Sequence, residues 1–364
     1  MINQLSDFIH KTFPRLPARD LICLAQMVVA LIRERTVNLK KLSLHCSYES
    51  KKPEARYRRL QRFLGRTCIT QSQWASLVMS FLKSPVLLAL DRTNWAFGKF
   101  QINILVLSVV YQNSAVPVFW SFLPHKGASS PQDRITLIDA FLNLFGRQQI
   151  QALVMDREFI GPEWLNHLVS QEITFHVRLR NNIKISSGKG ELRSPAYDFQ
   201  DIKPLEVWHL PGLRKLGSKK DRLHLFVSLT RSKEGELVII TSNKEQELSL
   251  ERYAQRWSIE TLFGCLKTRG FCMEETHLSN PDKISNLLMI LSFSFFWALR
   301  MGTWIHTVVP IKLKKHGRRA ISLFRSGLDA LVLASHKAFH WLLIPLSPSS
   351  KPPPKPCLSF LGLD

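Results

Sequence analysis

The chain has 364 residues, of which 45% are apolar and 10% aromatic, a composition typical of globular proteins rather than disordered ones. Its 50 lysines and arginines outnumber 28 acidic residues, and the net charge of +22 predicts a polyanionic partner, with nucleic acid favoured. Six cysteines without CxxC spacing argue against a zinc site and favour a reducing cytoplasm. The absence of a GxxxxGK[S/T] loop argues against an ATPase, and no secretory signal is expected from the N-terminal residues.

Residues 1–83 lack strand-like alternation and are predicted to be helical, with the clearest helices at 21–33, 38–46 and 54–65. The last of these is strongly basic and carries Arg58, Arg59 and Arg62 beside apolar residues that can face inward. We interpret 1–83 as a helical DNA-binding domain. A solvated basic helix face is the alternative for this stretch taken alone.

Residues 84–182 change to strand-like patterns in the order β-β-β-α-β-α-β. The predicted strands are 85–91, 102–111, 115–123, 152–156 and 173–179, and the predicted helices are about 131–145 and 162–170. This order predicts an α/β fold with a mixed sheet flanked by helices, the ribonuclease H-like arrangement, forming the first part of a catalytic core.

A β-rich insertion is predicted over 183–245, where short apolar runs alternate with glycines and charged turns. Residues 246–300 are predicted to complete the core with a charged helix and an apolar helix over 284–299. The apolar helix is shorter than the ~20 residues that span a bilayer, so no membrane partner is expected. Residues 301–364 are predicted to stay helical after Arg300, with a basic cluster over 312–319, and to end in a proline-rich disordered tail.

Three carboxylates are candidates for metal-dependent catalysis. Asp91 and Asp156 each end an apolar predicted strand, at the edge of the sheet where open α/β folds place their sites. Glu260 lies on the charged helix that follows the insertion. Carboxylate oxygens without nitrogen or sulfur ligands select Mg²⁺ or Mn²⁺, and two such ions are suited to phosphodiester chemistry. An ordinary ion-pair or capping role is the alternative for any one of these acids.

Tyr253, Arg256, Glu260 and Lys267 share one face of a predicted continuous helix, within an arc of about 60°. The neighbouring arc is apolar, so this charged stripe borders the buried face. For Arg256 and Glu260 alone, an ordinary surface pair four residues apart is the alternative.

These residues resemble a known family, the DDE transposases of bacterial insertion sequences that carry a Y-x2-R-x3-E-x6-K signature (the insertion-sequence-four-like group). Tyr253, Arg256, Glu260 and Lys267 reproduce that spacing, while the stretches at 91–95 and 156–164 resemble the two aspartate motifs. The resemblance covers roughly residues 50–300. It also includes a stretch common in the N-terminal domain, Arg59-Leu-Gln-Arg-Phe-Leu64.

The resemblance implies that Asp91, Asp156 and Glu260 bind two Mg²⁺ or Mn²⁺ ions, and that Tyr253, Arg256 and Lys267 contact DNA phosphates. Similar enzymes nick double-stranded DNA at the terminal repeats of their element, form and reopen a hairpin, and join the end to target DNA. They act in a paired-end complex, which implies a dimer. In a bacterial cell this enzyme is expected in the cytoplasm, associated with the nucleoid.

Several further residues are weaker candidates. Glu158 is a rival metal ligand. Lys126, in a loop resembling one beside the family's active site, is a candidate for contacting DNA backbone, with a plain surface turn as the alternative. Trp208, the insertion's one tryptophan, is a candidate for stacking on a flipped base, with core packing favoured. Trp95 and Trp164 are expected to pack in the core.

Two other functions fit the same residues. A ribonuclease H-like nuclease or resolvase would cut DNA by the same metal chemistry without joining it. A catalytically inactive protein descended from a transposase would keep DNA binding alone. The terminal repeat, the target-site preference and the residues that read bases are not specified by the sequence.

Overall fold

The computed structural model describes residues 1–46, 52–66, 68–186, 190–216, 223–245, 249–315, 317–335, 340–348, 352–353 and 357. Backbone contacts divide the chain into two compact units. The first comprises Met1–Phe81, Trp95–Ile102 and Leu262–Asp364, and the second comprises Leu82–Asn94 and Asn103–Thr261.

The N-terminal region is helical, as its pattern predicts. Its helices are α1 (Ile2–Thr12), α2 (Ala18–Glu34), α3 (Leu39–Leu44), α4 (Pro53–Leu64) and α5 (Gln71–Met79). Asn38 caps α3, and Thr70 forms a capping box with Gln73 at the start of α5, so two of these helix starts are fixed by side chains.

A ten-stranded mixed sheet occupies the middle of the chain and confirms the predicted α/β class. Its strands are β1 (Val86–Phe97), β2 (Phe100–Tyr111), β3 (Ser114–Phe122), β4 (Ile150–Met155), β5 (Phe175–Arg178), β6 (Ile185–Ser186), β7 (Leu192–Arg193), β8 (Val207–Leu216), β9 (Leu223–Arg231) and β10 (Leu237–Ser242). The helices between them are α6 (Pro131–Phe145), α7 (Pro162–Ser170) and a single turn, α8 (Pro195–Asp198).

The strand order is β3-β2-β1-β4-β5-β10-β9-β8-β6-β7. β4 is parallel to both β1 and β5, whereas β2 and β3 pair antiparallel. The first five strands therefore have the ribonuclease H-like order. The strands between residues 183 and 245 continue the same sheet, because β10 pairs antiparallel with β5.

After the sheet the chain returns to helices α9 (Ser249–Ala254), α10 (Trp257–Lys267), α11 (Pro281–His306) and α12 (Leu323–Ala334). A 3₁₀ segment follows at His340–Leu346. The prediction that the chain stays helical beyond Arg300 is wrong between α11 and α12, where the described residues form turns and a small hairpin. The predicted disordered tail begins at Pro345, and this start is wrong, because Pro345 and Leu346 belong to the 3₁₀ segment and Arg300 donates to the Pro345 carbonyl at 2.9 Å. Residues 349–351, 354–356 and 358–364 lie outside the described residues.

Helix α11 is the centre of the first unit. Its Phe293 and Phe296 lie 6.0 and 5.9 Å from the ring of Trp74, and 18 of its residues are buried. The predicted bounds of 284–299 are too short, because α11 has 26 residues and by length and composition is apolar enough to cross a membrane. However, 83% of its most apolar window is buried inside the protein. Burial on all sides explains why this helix shows no polar face.

Candidate active site

Asp91 and Asp156 lie next to each other because of the register of two parallel strands. Leu90 of β1 is the partner of Met155 of β4, and each aspartate is the next residue along its chain. The prediction that Asp91 ends its strand is wrong, since β1 continues to Phe97. Pairing between β1 and β4 stops just before Asp91, so this residue still lies at the end of the paired part of the two strands.

The sequence predicts one continuous helix for the signature segment, but the structure has two helices, α9 and α10. Between α9 and α10 the backbone tightens into three-residue hydrogen bonds, from Arg256 N to Tyr253 O at 2.9 Å and from Ile259 N to Arg256 O at 3.0 Å. This tight turn departs from the 3.6-residue period on which the predicted stripe depends. Tyr253 and Arg256 are buried, with 8% and 6% of their surface exposed.

One guanidinium and one phenol connect all three carboxylates. Arg256 donates to Glu260 Oε1 at 2.6 Å, and its Nη1 lies 3.6 Å from Asp91 Oδ2. Arg256 Nε donates to the Tyr253 hydroxyl at 3.1 Å, and that hydroxyl donates to Asp156 Oδ1 at 3.3 Å. The five residues that the sequence singles out here thus form one connected polar cluster, which we call the acidic cluster.

Arg256 supplies the cationic charge within the acidic cluster. Three neighbouring carboxylates repel one another unless positive charge lies between them, and a partly buried guanidinium with several hydrogen bonds meets that need. Burial alone would lower the pKa of Arg256, but its interactions with Tyr253 and Glu260 outweigh burial and raise that pKa. Arg256 therefore stays charged.

The donor set suits a divalent cation, although the carboxylates are bound to Arg256 and Tyr253 rather than gathered around an ion. Within the described part of the chain, no three His, Cys, Asp or Glu side chains come close enough together to hold a metal. Oxygen donors alone are what Mg²⁺ and Mn²⁺ prefer. An ion held by Asp91, Asp156 and Glu260 would compete with the positive charge of the guanidinium for these carboxylates.

Burial changes the proton affinity of two members of the acidic cluster. Desolvation raises the pKa of Asp91 to about 7, opposed in part by the Arg92 amide and by the Arg256 charge. Desolvation also raises the pKa of Tyr253 to about 12, which keeps its hydroxyl a hydrogen-bond donor at neutral pH. In the protein without bound cations, the pKa of the Asp91 carboxyl is thus close to neutral pH.

Glu158, the rival ligand, is bound to an arginine. Arg92 Nε and Nη2 lie 3.2 and 3.1 Å from its two carboxylate oxygens, a bidentate pair with both side chains largely buried. Arg92 Nη1 also donates to Asn103 Oδ1 at 3.0 Å. This pair ties the residue after Asp91 to the loop after Asp156, so it can fix the spacing of the two aspartates.

Side chains of the same unit form hydrogen bonds with the loop that carries Lys126. Asn103 Nδ2 donates to the carbonyls of His125 and Gly127 at 2.8 and 3.1 Å. Buried Arg134, on α6, donates to Ser129 Oγ at 2.9 Å and to the Glu158 carbonyl at 3.4 Å. Lys126 itself is exposed. This exposure is compatible with a contact to DNA backbone and equally with a plain surface turn.

The remaining predicted basic residues belong to the first unit. Lys267 pairs with Glu274 at 2.7 Å and lies 5.8 Å from the centroid of the Trp95 ring. On α4, Arg58 and Arg62 are exposed, whereas Arg59 is half-buried and donates to the Arg19 carbonyl at 3.4 Å. α4 buries Leu60 and Phe63 on its other side, as its pattern predicts.

The three tryptophans considered in the sequence analysis differ in their burial. Trp95 and Trp164 are buried, as expected. Trp208 of β8 is half-buried and lies edge-on to Phe199 at 6.4 Å, so part of its ring is accessible.

The sequence did not single out Trp257, which is 62% exposed and lies 5.8 Å from the Arg256 guanidinium. Its position inside the charged signature was the available signal, and such an exposed ring can stack on a base.

Comparison with known proteins finds a family match to part of the chain. Residues 122–297 match the family model described as the transposase DDE domain, a segment that contains Asp156 and Glu260 but begins after Asp91. Among solved structures, the chain is similar to a cryo-EM structure of the piggyBac transposase synaptic complex with hairpin DNA. That likeness has 10% identity and a TM-score of 0.43, and it covers 92% of this chain and 77% of that chain. No curated protein matches the sequence.

Proposed function

We propose that this chain is a DDE transposase that cleaves and joins double-stranded DNA. The observation that carries the proposal is the acidic cluster, in which Asp91, Asp156 and Glu260 converge on Arg256 and Tyr253. Four of these five residues lie in the segment that matches the transposase DDE domain. The high positive charge of the chain supports a DNA partner.

Asp91, Asp156 and Glu260 would hold two Mg²⁺ or Mn²⁺ ions. When bound, such ions activate a water or a 3′-hydroxyl and stabilise the leaving oxygen of a phosphodiester. The protein's own contribution is to position these groups: the β1–β4 register sets Asp91 beside Asp156, and the pair of Arg92 with Glu158 braces the loops that follow them.

Arg256, Tyr253 and Lys267 are the proposed contacts to phosphates near the cleaved end. Arg256 and Lys267 already bind carboxylates at 2.6 and 2.7 Å, so their geometry suits anionic oxygens that a phosphate can replace. Lys126, Arg58, Arg59 and Arg62 are proposed to contact the backbone more peripherally, and Trp208 to stack on a displaced base.

The proposed reaction is cut-and-paste transposition with hairpin ends, by a dimer that pairs the two terminal repeats. This route depends on the family resemblance of the signature. In it, water cleaves one strand at the element end and frees a 3′-hydroxyl, which attacks the phosphodiester of the opposite strand to form a hairpin and releases the flanking strand with its own 3′-hydroxyl. Water reopens the hairpin, and the regenerated 3′-hydroxyl attacks a target phosphodiester, whose 3′-oxygen leaves.

The deciding experiment combines the purified chain, Mg²⁺ and duplex DNA carrying the ends of its own element, with products resolved on a denaturing gel. We expect metal-dependent nicks, a hairpin-sized band and joined products. Glu260→Gln should reduce all of them to background while DNA binding survives, because the amide removes one anionic ligand. Glu251→Gln, the same change at an exposed site on α9, should behave like the wild type.

The other outcomes separate the competing functions. Cleavage retained in Glu260→Gln would overturn the assignment of the triad. Nicks without hairpins or joined products would favour a nuclease or resolvase. DNA binding without cleavage in either Mg²⁺ or Mn²⁺ would favour an inactive descendant that only binds DNA.

A further inference from the structure

A small β-hairpin lies between α11 and α12, in the first unit. Leu313 and Arg319 form an antiparallel bridge, Lys314 N donates to Arg318 O at 2.8 Å, and Ala320 N donates to Lys312 O at 2.8 Å. The turn closes where Gly317 N donates to Lys314 O, with Gly317 at a φ of +79° that favours glycine. We call the described residues 312–315 and 317–320 the basic hairpin.

Five cations crowd this short element. They are Lys312, Lys314, Lys315, Arg318 and Arg319, and the first four are exposed. The sequence contains no aspartate or glutamate between residues 307 and 328. Every net charge in the basic hairpin is therefore positive.

The pairing of the strands places like charges opposite each other. Because Leu313 pairs with Arg319, Lys314 faces Arg318 directly across the ladder, and Lys312 shares that face. Like charges in opposing positions destabilise a hairpin, and a two-stranded hairpin is only marginally stable to begin with. This arrangement opposes the hairpin's own stability, and a bound polyanion would relieve the repulsion.

We propose that the basic hairpin is a binding element for duplex DNA, with Lys312, Lys314 and Arg318 as its phosphate-facing side. The proposal rests on the proposed function in taking DNA as the partner. It assigns that partner a contact outside the signature residues and outside the N-terminal helices.

The shape of the element favours DNA over double-stranded RNA. A two-stranded ribbon has strands about 4.8 Å apart and fits the B-DNA major groove, which is about 12 Å wide. The major groove of A-form RNA is deep and too narrow for side chains to read. Exposed Leu313, with 69% of its surface accessible, lies on the other face with Arg319.

The test measures salt-dependent binding of the full chain to a fluorescent duplex of random sequence, by anisotropy and without divalent ions. The variant carries Lys312→Gln, Lys314→Gln and Arg318→Gln. We expect affinity at about 0.1 M salt to fall roughly 10- to 100-fold and the log–log salt slope to become shallower by about 2 to 3, one unit for each lost phosphate contact.

Two further variants control for charge and folding. Lys312→Arg, Lys314→Arg and Arg318→Lys together keep the charge and should keep the affinity within about twofold of wild type. Lys11→Gln, Lys99→Gln and Lys233→Gln remove three exposed lysines elsewhere and should leave the slope nearly unchanged. The glutamine hairpin variant should melt at or above the wild-type temperature, because cross-strand repulsion is lost.

Several outcomes would overturn the inference. These are an unchanged slope in the hairpin variant, an equal loss in the variant lacking the three other lysines, or a loss seen with double-stranded RNA or anionic vesicles but not with DNA. Cleavage assays keep the two proposals apart. A protein that cleaves normally with an unchanged slope refutes the hairpin site alone, whereas one that never cleaves but loses slope refutes the transposase alone.

Discussion

Arg256 holds the place that a divalent cation would take among the carboxylates. Its guanidinium contacts Glu260 at 2.6 Å and Asp91 at 3.6 Å, and reaches Asp156 through the Tyr253 hydroxyl. An ion entering the acidic cluster would compete with the guanidinium for these carboxylates. A DNA phosphate that attracts the guanidinium would reduce that competition, so DNA binding and metal binding should favour each other.

We therefore expect Arg256→Gln to raise the affinity of the DNA-free protein for Mn²⁺, because the competing positive charge is gone. Electron paramagnetic resonance of free Mn²⁺ measures this without any reaction. Arg325→Gln, which removes an arginine paired with Asp329 at 2.8 Å, is the matched control and should change nothing. An affinity that is unchanged or weaker in Arg256→Gln would show that the guanidinium does not compete.

Asp91 gives the stability of the metal-free protein a predictable pH dependence. Its pKa rises from an ordinary value of 3.8 to about 7 on folding, so the folded state holds this proton more tightly than the unfolded state. The resulting stabilisation is fully present below about pH 4 and is lost as the pH rises towards 7.

Asp91→Asn removes that dependence. Its Tm relative to wild type should therefore be higher at pH 8 than at pH 5, when both proteins are melted with a chelator present. Asp329→Asn, which changes an aspartate half-exposed on α12, should show no such difference. A Tm difference for Asp91→Asn that does not vary with pH would contradict the raised pKa.

At the scale of elements, α11 and α12 approach each other at two glycines. A Cβ added to Gly302 would lie 1.8 Å from the Leu323 carbonyl oxygen, and one added to Gly327 would lie 1.8 Å from that of Ala298. Both obstacles are backbone atoms, which cannot move away as a flexible side chain can. These two glycines are therefore required by the close helix contact.

Gly302→Ala should destabilise the protein by about 1–3 kcal/mol, because overpacking outweighs the roughly 1 kcal/mol that alanine gains in a helix. Urea unfolding measures the difference. Gly161→Ala, at a position with no atom within 4 Å of the new Cβ, should be nearly neutral. A stabilised Gly302→Ala would show that the two helices can separate at little cost.

The elements also show where sequence patterns stop being informative. The predicted helices at 131–145 and 162–170 agree with α6 and α7, because Ser130 and Gly161 precede Pro131 and Pro162, clear signals for a helix start. Polar residues interrupt the apolar run after Leu90, and for that reason the sequence predicts that β1 ends at Asp91. This prediction is wrong. Buried Thr93 and Trp95 continue the two-residue alternation beyond Asp91.

Spacing along the chain singled out polar residues that the structure brings together, but it did not predict how they contact one another. Tyr253 and Asp156 are 97 residues apart, and their hydrogen bond depends on the sheet, which no local pattern encodes. The break between α9 and α10 was missed because neither glycine nor proline marks it. The basic hairpin was missed because lysine and arginine have good helix propensity, and the turn needed only one glycine.

At the scale of the whole molecule, most of the net charge of +22 belongs to the first unit, which has 28 lysines and arginines against 10 acidic residues. The second unit, which contains the acidic cluster, has 22 against 18. A basic protein surface attracts DNA non-specifically and speeds association. The carboxylates would repel that same DNA without cations among them. On the proposed function, Arg256 and bound metals would together allow a polyanion to approach an anionic site.

The separation of the carboxylates along the chain also sets a delay between their synthesis. Asp91 and Glu260 are some 170 residues apart, so at ~5–20 residues per second Glu260 is synthesised roughly 10 to 30 seconds after Asp91. Helix α11, on which N-terminal helices α2 and α4 pack, is synthesised later still, at Pro281–His306. The core of the first unit and the acidic cluster are therefore both incomplete until the C-terminal part of the chain has been synthesised.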